Sequence, residues 1–258
     1  MTAELIDPRL LVGVLLVALA GCVASTPQLS KTSSDEAAGF NVQLGIGYLQ
    51  QGNLVVAKEK LERAERESPH DPKVHNAMGL LYERLGDPKR ADEEYRTALR
   101  DAPKDPEIAN NYAVFLCQSG RTEEGVKYFM VAARNPLYRT PEAAYTNSAV
   151  CLRAAHRDDE AKQNLQRALA IKPNFAEASY QLADLEFTGG HLNEARATLT
   201  HYTDSYEATP DLLLLGVRIA RSMGDRVAAE RYARTLRMDF PSSEQARSLA
   251  DLNHNSGS

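Results

Sequence analysis

Cys117 and Cys151 stand 34 residues apart in a chain that has three cysteines. In an oxidising compartment such a pair can close a disulfide. For a loop of that length the closure contributes roughly 3–4 kcal/mol when its geometry is unstrained. The alternative is two small buried hydrophobes. Neither cysteine has a C-x-x-C neighbour, so zinc binding and thiol–disulfide catalysis find no support. The six histidines, His70, His75, His156, His191, His201 and His254, show no metal-ligand spacing. His156 falls where the surrounding pattern otherwise has glycine, and it reads as a turn residue. The acidic runs Asp92-Glu93-Glu94 and Asp158-Asp159-Glu160 fall near helix starts, where they complement the dipole. Gly189-Gly190 has no strand before it and reads as a turn, not a phosphate loop. No nucleophile, base and orienting group come together. The sequence does not read as an enzyme, and it calls for no metal and no cofactor.

The composition is that of a soluble globular chain: 258 residues, 43% hydrophobic and 25% charged. A net charge of −5 is not the basic footprint of a nucleic-acid binder. The beginning differs from the rest. Leu10 to Ala20 is an apolar run of about eleven residues, where a membrane span needs roughly 20. Its length suits the apolar core of a signal peptide. The run ends in Leu19-Ala20-Gly21-Cys22, with small residues just ahead of the cysteine. This resembles the lipobox of bacterial lipoproteins, which implies removal of residues 1–21 and lipidation of Cys22 as the new N-terminus. The leader departs from that pattern in setting Glu4 and Asp7 against Arg9, where positive charge is expected. Val23 in place of an aspartate implies onward sorting to the outer membrane. Residues 23–37 are rich in Ser, Thr and Ala without an apolar period. They read as a flexible tether with a reach of about 20 Å, so that 22–37 joins the lipid to a folded part at 38–252.

The folded part is periodic. Gly79, Tyr82, Gly86, Ala91, Tyr95, Ala98 and Pro103 are preceded 34 residues earlier by Gly45, Tyr48, Gly52, Ala57, Leu61, Ala64 and Pro69. Further copies follow at the same interval, with a two-residue insertion before the fourth. The pattern resembles the tetratricopeptide repeat. It implies an all-α fold: a solenoid of six helix pairs wound as a right-handed superhelix. Small residues let paired helices approach, large ones fill the space around them, and stacking supplies the core that no single pair can bury. Asp71-Pro72 and Asp105-Pro106 pair an N-cap acid with proline at the first helical position. The repeats are placed at 38–71, 72–105, 106–141, 142–175, 176–209 and 210–243. The fifth is the weakest, with Glu186, Tyr202 and Glu207 at positions that are usually apolar, small and proline. Ser242 and Gln245 have capping-box spacing and start a final capping helix, with a disordered tail at 253–258.

Repeats of this kind bind partners. Their concave face is lined by the first helix of each pair, and here its exposed positions include Asn76, Leu80, Asn110, Asn111, Val114, Asn147, Val150, Tyr180 and Phe187. Asparagine amides can donate to and accept from a peptide backbone, and the apolar neighbours offer contact area. Some of the asparagines could equally bridge neighbouring helices. For Asn110 and Asn111 the two roles are balanced, and for Asn147 the groove role is favoured.

The insertion lies in "AARNPLYRTPEAAYTNSAVCL", residues 132–152, where Asn135-Pro136 stops one helix and Thr140-Pro141 starts the next. This stretch and "NNYAVFLCQSGRTEEG" at 110–125 resemble the pilotin lipoproteins of type IV pilus biogenesis, the PilF/PilW family. The resemblance extends from the lipobox to the terminal helix. It implies a periplasm-facing outer-membrane lipoprotein that binds secretin subunits and promotes their multimerisation, with no nucleic-acid or small-molecule partner. A general scaffold lipoprotein that gathers peptidoglycan hydrolases would share the lipobox and the repeats, but not the insertion.

Overall fold

The computed structural model describes residues 31–254. Cys22, the leader and residues 255–258 lie outside the described residues. Among those described, every element is an α-helix. The first pair is α1 (Lys31–Gln50) with α2 (Leu54–Glu67), and the second is α3 (Pro72–Arg84) with α4 (Pro88–Asp101). The third joins α5 (Pro106–Gln118) to α6 (Thr122–Ala133), and the fourth α7 (Pro141–Ala154) to α8 (Asp158–Ile171). The fifth consists of α9 (Ala176–Thr188) and α10 (Leu192–Thr203), and the sixth of α11 (Pro210–Ser222) and α12 (Arg226–Asp239). The last helix, α13 (Glu244–His254), packs on α11 and α12.

Local chemistry sets these boundaries. Asp71 accepts from the Lys73 amide at 2.8 Å, and Asp105 from the Glu107 amide at 2.9 Å, each with proline beginning the helix. Each turn between paired helices needs one left-handed residue. Glycine supplies it at Gly52, Gly86, Gly120, Gly190 and Gly224, while His156 supplies it in the fourth pair at φ 56°. Inside the pairs, close approach demands the small residue. A methyl group on Gly79 would lie 2.9 Å from the Tyr95 ring. Tyr95 itself is fully buried and donates its hydroxyl to Glu83.

Two expected boundaries shift. α1 begins at Lys31, so residues 31–37 of the expected tether are helical. Their anchors are polar: Ser34 donates to the Glu67 carbonyl, and Ser68 donates to the Asp35 carboxylate at 2.9 Å. The cap of α13 is Ser243, not Ser242. Its hydroxyl accepts from the Ala246 amide at 3.1 Å, and the helix runs to His254, two residues into the expected tail.

The stacking is asymmetric. Consecutive first helices pack closely along the whole series α1, α3, α5, α7, α9 and α11. Among the described residues the second helices of neighbouring repeats reach one another only through long side chains, as Lys162 of α8 does to Glu194 of α10 at 2.7 Å. The first helices therefore form a continuous inner row and the second helices splay outward, which makes the inner row the concave side. Repeats two and three are also joined by a polar buttress. Asp92 accepts from the Tyr112 hydroxyl at 2.8 Å and pairs with Arg121 at 2.6 Å and Arg96 at 2.7 Å. Burial pushes the Asp92 carboxyl up, but these partners outweigh it and hold it below its usual range. In the fifth repeat Glu186 is buried and satisfied. It accepts from Thr198 at 2.7 Å and pairs with Lys162 at 3.1 Å. Tyr202 packs against Tyr206, with ring centroids 5.2 Å apart.

Candidate functional site

Every residue expected on the concave face lies on the inner row: Asn76 and Leu80 on α3, Asn110, Asn111 and Val114 on α5, Asn147 and Val150 on α7, Tyr180 and Phe187 on α9. The asparagines form a clasp from repeat to repeat. Asn111 donates its amide to Asn76 at 3.2 Å, and Asn147 donates to Asn110 at 3.3 Å. In each pair the donor stands one position further along its repeat than the acceptor. Bridging therefore describes all four asparagines, including Asn147, whose position in the sequence favours the groove role. All four stay half-exposed, and each amide keeps capacity beyond the one bond. They can serve a bound backbone while holding the helices in register.

Between α5 and α7 the inner face opens a shallow hollow of about 230 Å³. Val114, Asn147 and Val150 line it together with Phe129, and Val150 is 43% exposed. Its floor is the Cys117–Cys151 disulfide, whose Cα atoms are 5.6 Å apart. The bond needs space that the second helix provides. A methyl group on Gly125 of α6 would fall 2.5 Å from the Cys117 sulfur, at a position where other repeats carry alanine. The disulfide thus ties the two first helices that frame the hollow and fixes its width.

Beyond α7 the inner face changes character. The repeat position that reads Leu80, Val114 and Val150 continues as Asp184 and Arg218. Arg153 forks between Gln181 at 2.7 Å and Asp184 at 2.9 Å. Arg218 approaches Asp184 at 3.8 Å and lies over the Phe187 ring, 5.0 Å from its centroid. Tyr180 sits beside this cluster, and burial followed by the Asp184 charge raises its hydroxyl pKa. Sequence reasoning missed Arg153, Gln181, Asp184 and Arg218. The signal was available, since Asp184 and Arg218 follow by simple counting from Val150. The groove thus offers an apolar, amide-edged half and a charged, aromatic half. Its chemistry is recognition: contact area, backbone donors and acceptors, and a guanidinium with donors to spare.

Paired helices of this length, stacked on a row of small residues, define a tetratricopeptide-repeat protein. The family model of that repeat matches residues 48–110 and 152–215. The chain is 31% identical over 236 residues to the type IV pilus assembly protein PilF of Pseudomonas aeruginosa, covering 90% of this chain and 94% of that one. The solved structure of Pseudomonas aeruginosa PilF superposes with a TM-score of 0.68 at 29% identity, over 84% of this chain and 98% of the other. That of PilW, a widely conserved type IV pilus biogenesis factor, gives 0.69 at 30% identity, over 83% and 98%. The chain belongs to this PilF/PilW family of type IV pilus biogenesis proteins.

Proposed function

We propose that this protein is a pilotin: a lipoprotein anchored in the outer membrane through Cys22, facing the periplasm, whose inner face binds secretin subunits and promotes their localisation and multimerisation. The observation that carries the reading is the two-part inner groove in a chain of the PilF family. An extended segment or a helix laid across α3 to α9 meets Leu80, Val114 and Val150 first, with the asparagine amides at its edge, and then Arg218 and Tyr180. The disulfide keeps the apolar half preorganised, which lowers the ordering cost of binding. The lipid on Cys22 acts separately. It raises the concentration of the bound subunit at the membrane where the ring assembles. The same anchor makes the groove a carrier rather than a free binder.

Separated inner and outer membranes, blotted for the secretin with and without this gene, test the reading. The expected result is loss of heat-resistant outer-membrane multimers, restored by the intact gene but not by Cys22→Ser. Multimers that persist without the gene would remove the secretin as its cargo.

A further inference from the structure

On the outer side of the third repeat lies a patch that the groove does not use. Lys127, Met130 and Val131 of α6 and its C-cap Arg134 follow i, i+3, i+4, i+7 spacing and so share one outward face. They border a hollow of about 740 Å³, completed by Lys104 from the preceding connection and Leu137 from the inserted loop. Leu137 is 85% exposed and Val131 37% exposed. The loop that presents Leu137 is held firmly. Asn135 donates its amide to the Lys104 carbonyl at 2.8 Å, and its side-chain oxygen accepts from the Leu137 amide at 2.9 Å. One residue further on, Tyr138 packs back against the core. A leucine this exposed is displayed by a fixed scaffold, not by a loose end.

The charges point the same way. Lys104, Lys127 and Arg134 make no ion pair among the described residues, whereas Arg63, Arg96 and Lys162 on other outer helices do. No acidic residue lines the hollow. Three unneutralised cations around an apolar floor, in a chain whose net charge is −5, form a local reversal of the molecule's field.

We propose that this patch docks an acidic segment of a protein partner, with a bulky apolar side chain seated against Leu137, Val131 and Met130 and carboxylates on Lys104, Lys127 and Arg134. The site is distinct from the inner groove and on the opposite side of the helix layer, so both can be occupied at once. The hollow is open, but α6 and the inserted loop wall it on two sides, which an inserted side chain would use and a flat lipid surface would not.

The test uses the mature chain and two fluorescein-labelled peptides, one alternating glutamate with leucine and one alternating lysine with leucine. Fluorescence anisotropy should show binding of the acidic peptide only. The combined Lys104→Glu, Lys127→Glu, Arg134→Glu variant should weaken it at least tenfold and Leu137→Ser at least threefold, while Val150→Arg in the groove leaves it unchanged. All the altered side chains are exposed, and matching circular dichroism spectra confirm that the variants fold. Absence of binding, equal binding of the lysine peptide, or affinity that ignores the patch variants would overturn the proposal. So would patch-dependent binding to vesicles of phosphatidylethanolamine and phosphatidylglycerol that the acidic peptide does not displace, which would assign the patch to a membrane.

Discussion

Gly125→Ala probes whether the disulfide and the helix behind it were fitted to each other. The added methyl carbon would lie 2.5 Å from the Cys117 sulfur and 3.0 Å from the Ala113 carbonyl oxygen. The sulfur cannot swing aside, because it is bonded to Cys151. Overpacking of this kind costs about 1–3 kcal/mol, and the helix propensity of alanine over glycine returns about 1 kcal/mol. The expected net loss is therefore up to about 2 kcal/mol. In a Cys117→Ala, Cys151→Ala background the sulfur is gone, and the longer contact with the Ala113 carbonyl oxygen, at 3.0 Å, remains. There the same substitution should be neutral or stabilise by up to about 1 kcal/mol. The cycle isolates a coupling of about 1–3 kcal/mol between Gly125 and the disulfide. Urea unfolding followed by helical circular dichroism, without reductant, measures all four proteins, and comparable slopes would show that the transition keeps its form. A loss of 2 kcal/mol in both backgrounds would refute the reasoning, since the sulfur would then not be what the glycine makes room for.

The left-handed turn positions make a paired prediction. Gly86 has φ +72° with open space around its Cβ position, so Gly86→Ala should cost about 1–2 kcal/mol through backbone strain alone, while His156→Gly should stabilise by about 0.5–1 kcal/mol. Thermal midpoints moving in the same direction for both would contradict this. His75 should make stability depend on pH. Its Nδ1 lies 2.7 Å from the Glu94 carboxylate and its Nε2 3.0 Å from the Pro69 carbonyl oxygen, two acceptors that suit the doubly protonated ring. The bond to Glu94 outweighs desolvation and raises its pKa above 6.5. Its stabilisation is then complete below about pH 6.5 and is lost as pH rises through the higher folded value. His75→Gln should flatten the decline in stability above neutrality, and an unaltered pH profile would count against the pairing. Thr198→Val removes a hydrogen bond to the buried Glu186 carboxylate and should cost about 1.5–3 kcal/mol in urea unfolding.

The helices were legible because small, large, glycine and proline positions recur at an interval of 34, widened by two before the fourth copy. Asp71, Gly86 and Pro103 act locally, and local chemistry survives in one dimension. The first turn of α1 was not legible. Ser34 and Asp35 carry no apolar period, and their partners Glu67 and Ser68 lie one helix away. The inner face was half legible. Periodicity placed Asn76, Asn110, Asn111 and Asn147 on one side, but whether amides meet across helices depends on a one-position offset between repeats. The charged half was overlooked because Asp184 and Arg218 differ in type from the valines they succeed. Around Leu137, the cations come from two separate segments, which only the fold brings together.

The most direct test of the central claim is binding of the purified secretin subunit to the immobilised mature chain, wild type against Val150→Arg. Val150 is exposed at the hollow between α5 and α7, so the arginine alters the groove without filling the core. The account predicts at least tenfold weaker binding with an unchanged unfolding midpoint. Equal affinity for the two proteins would contradict it and move the secretin contact off the inner face.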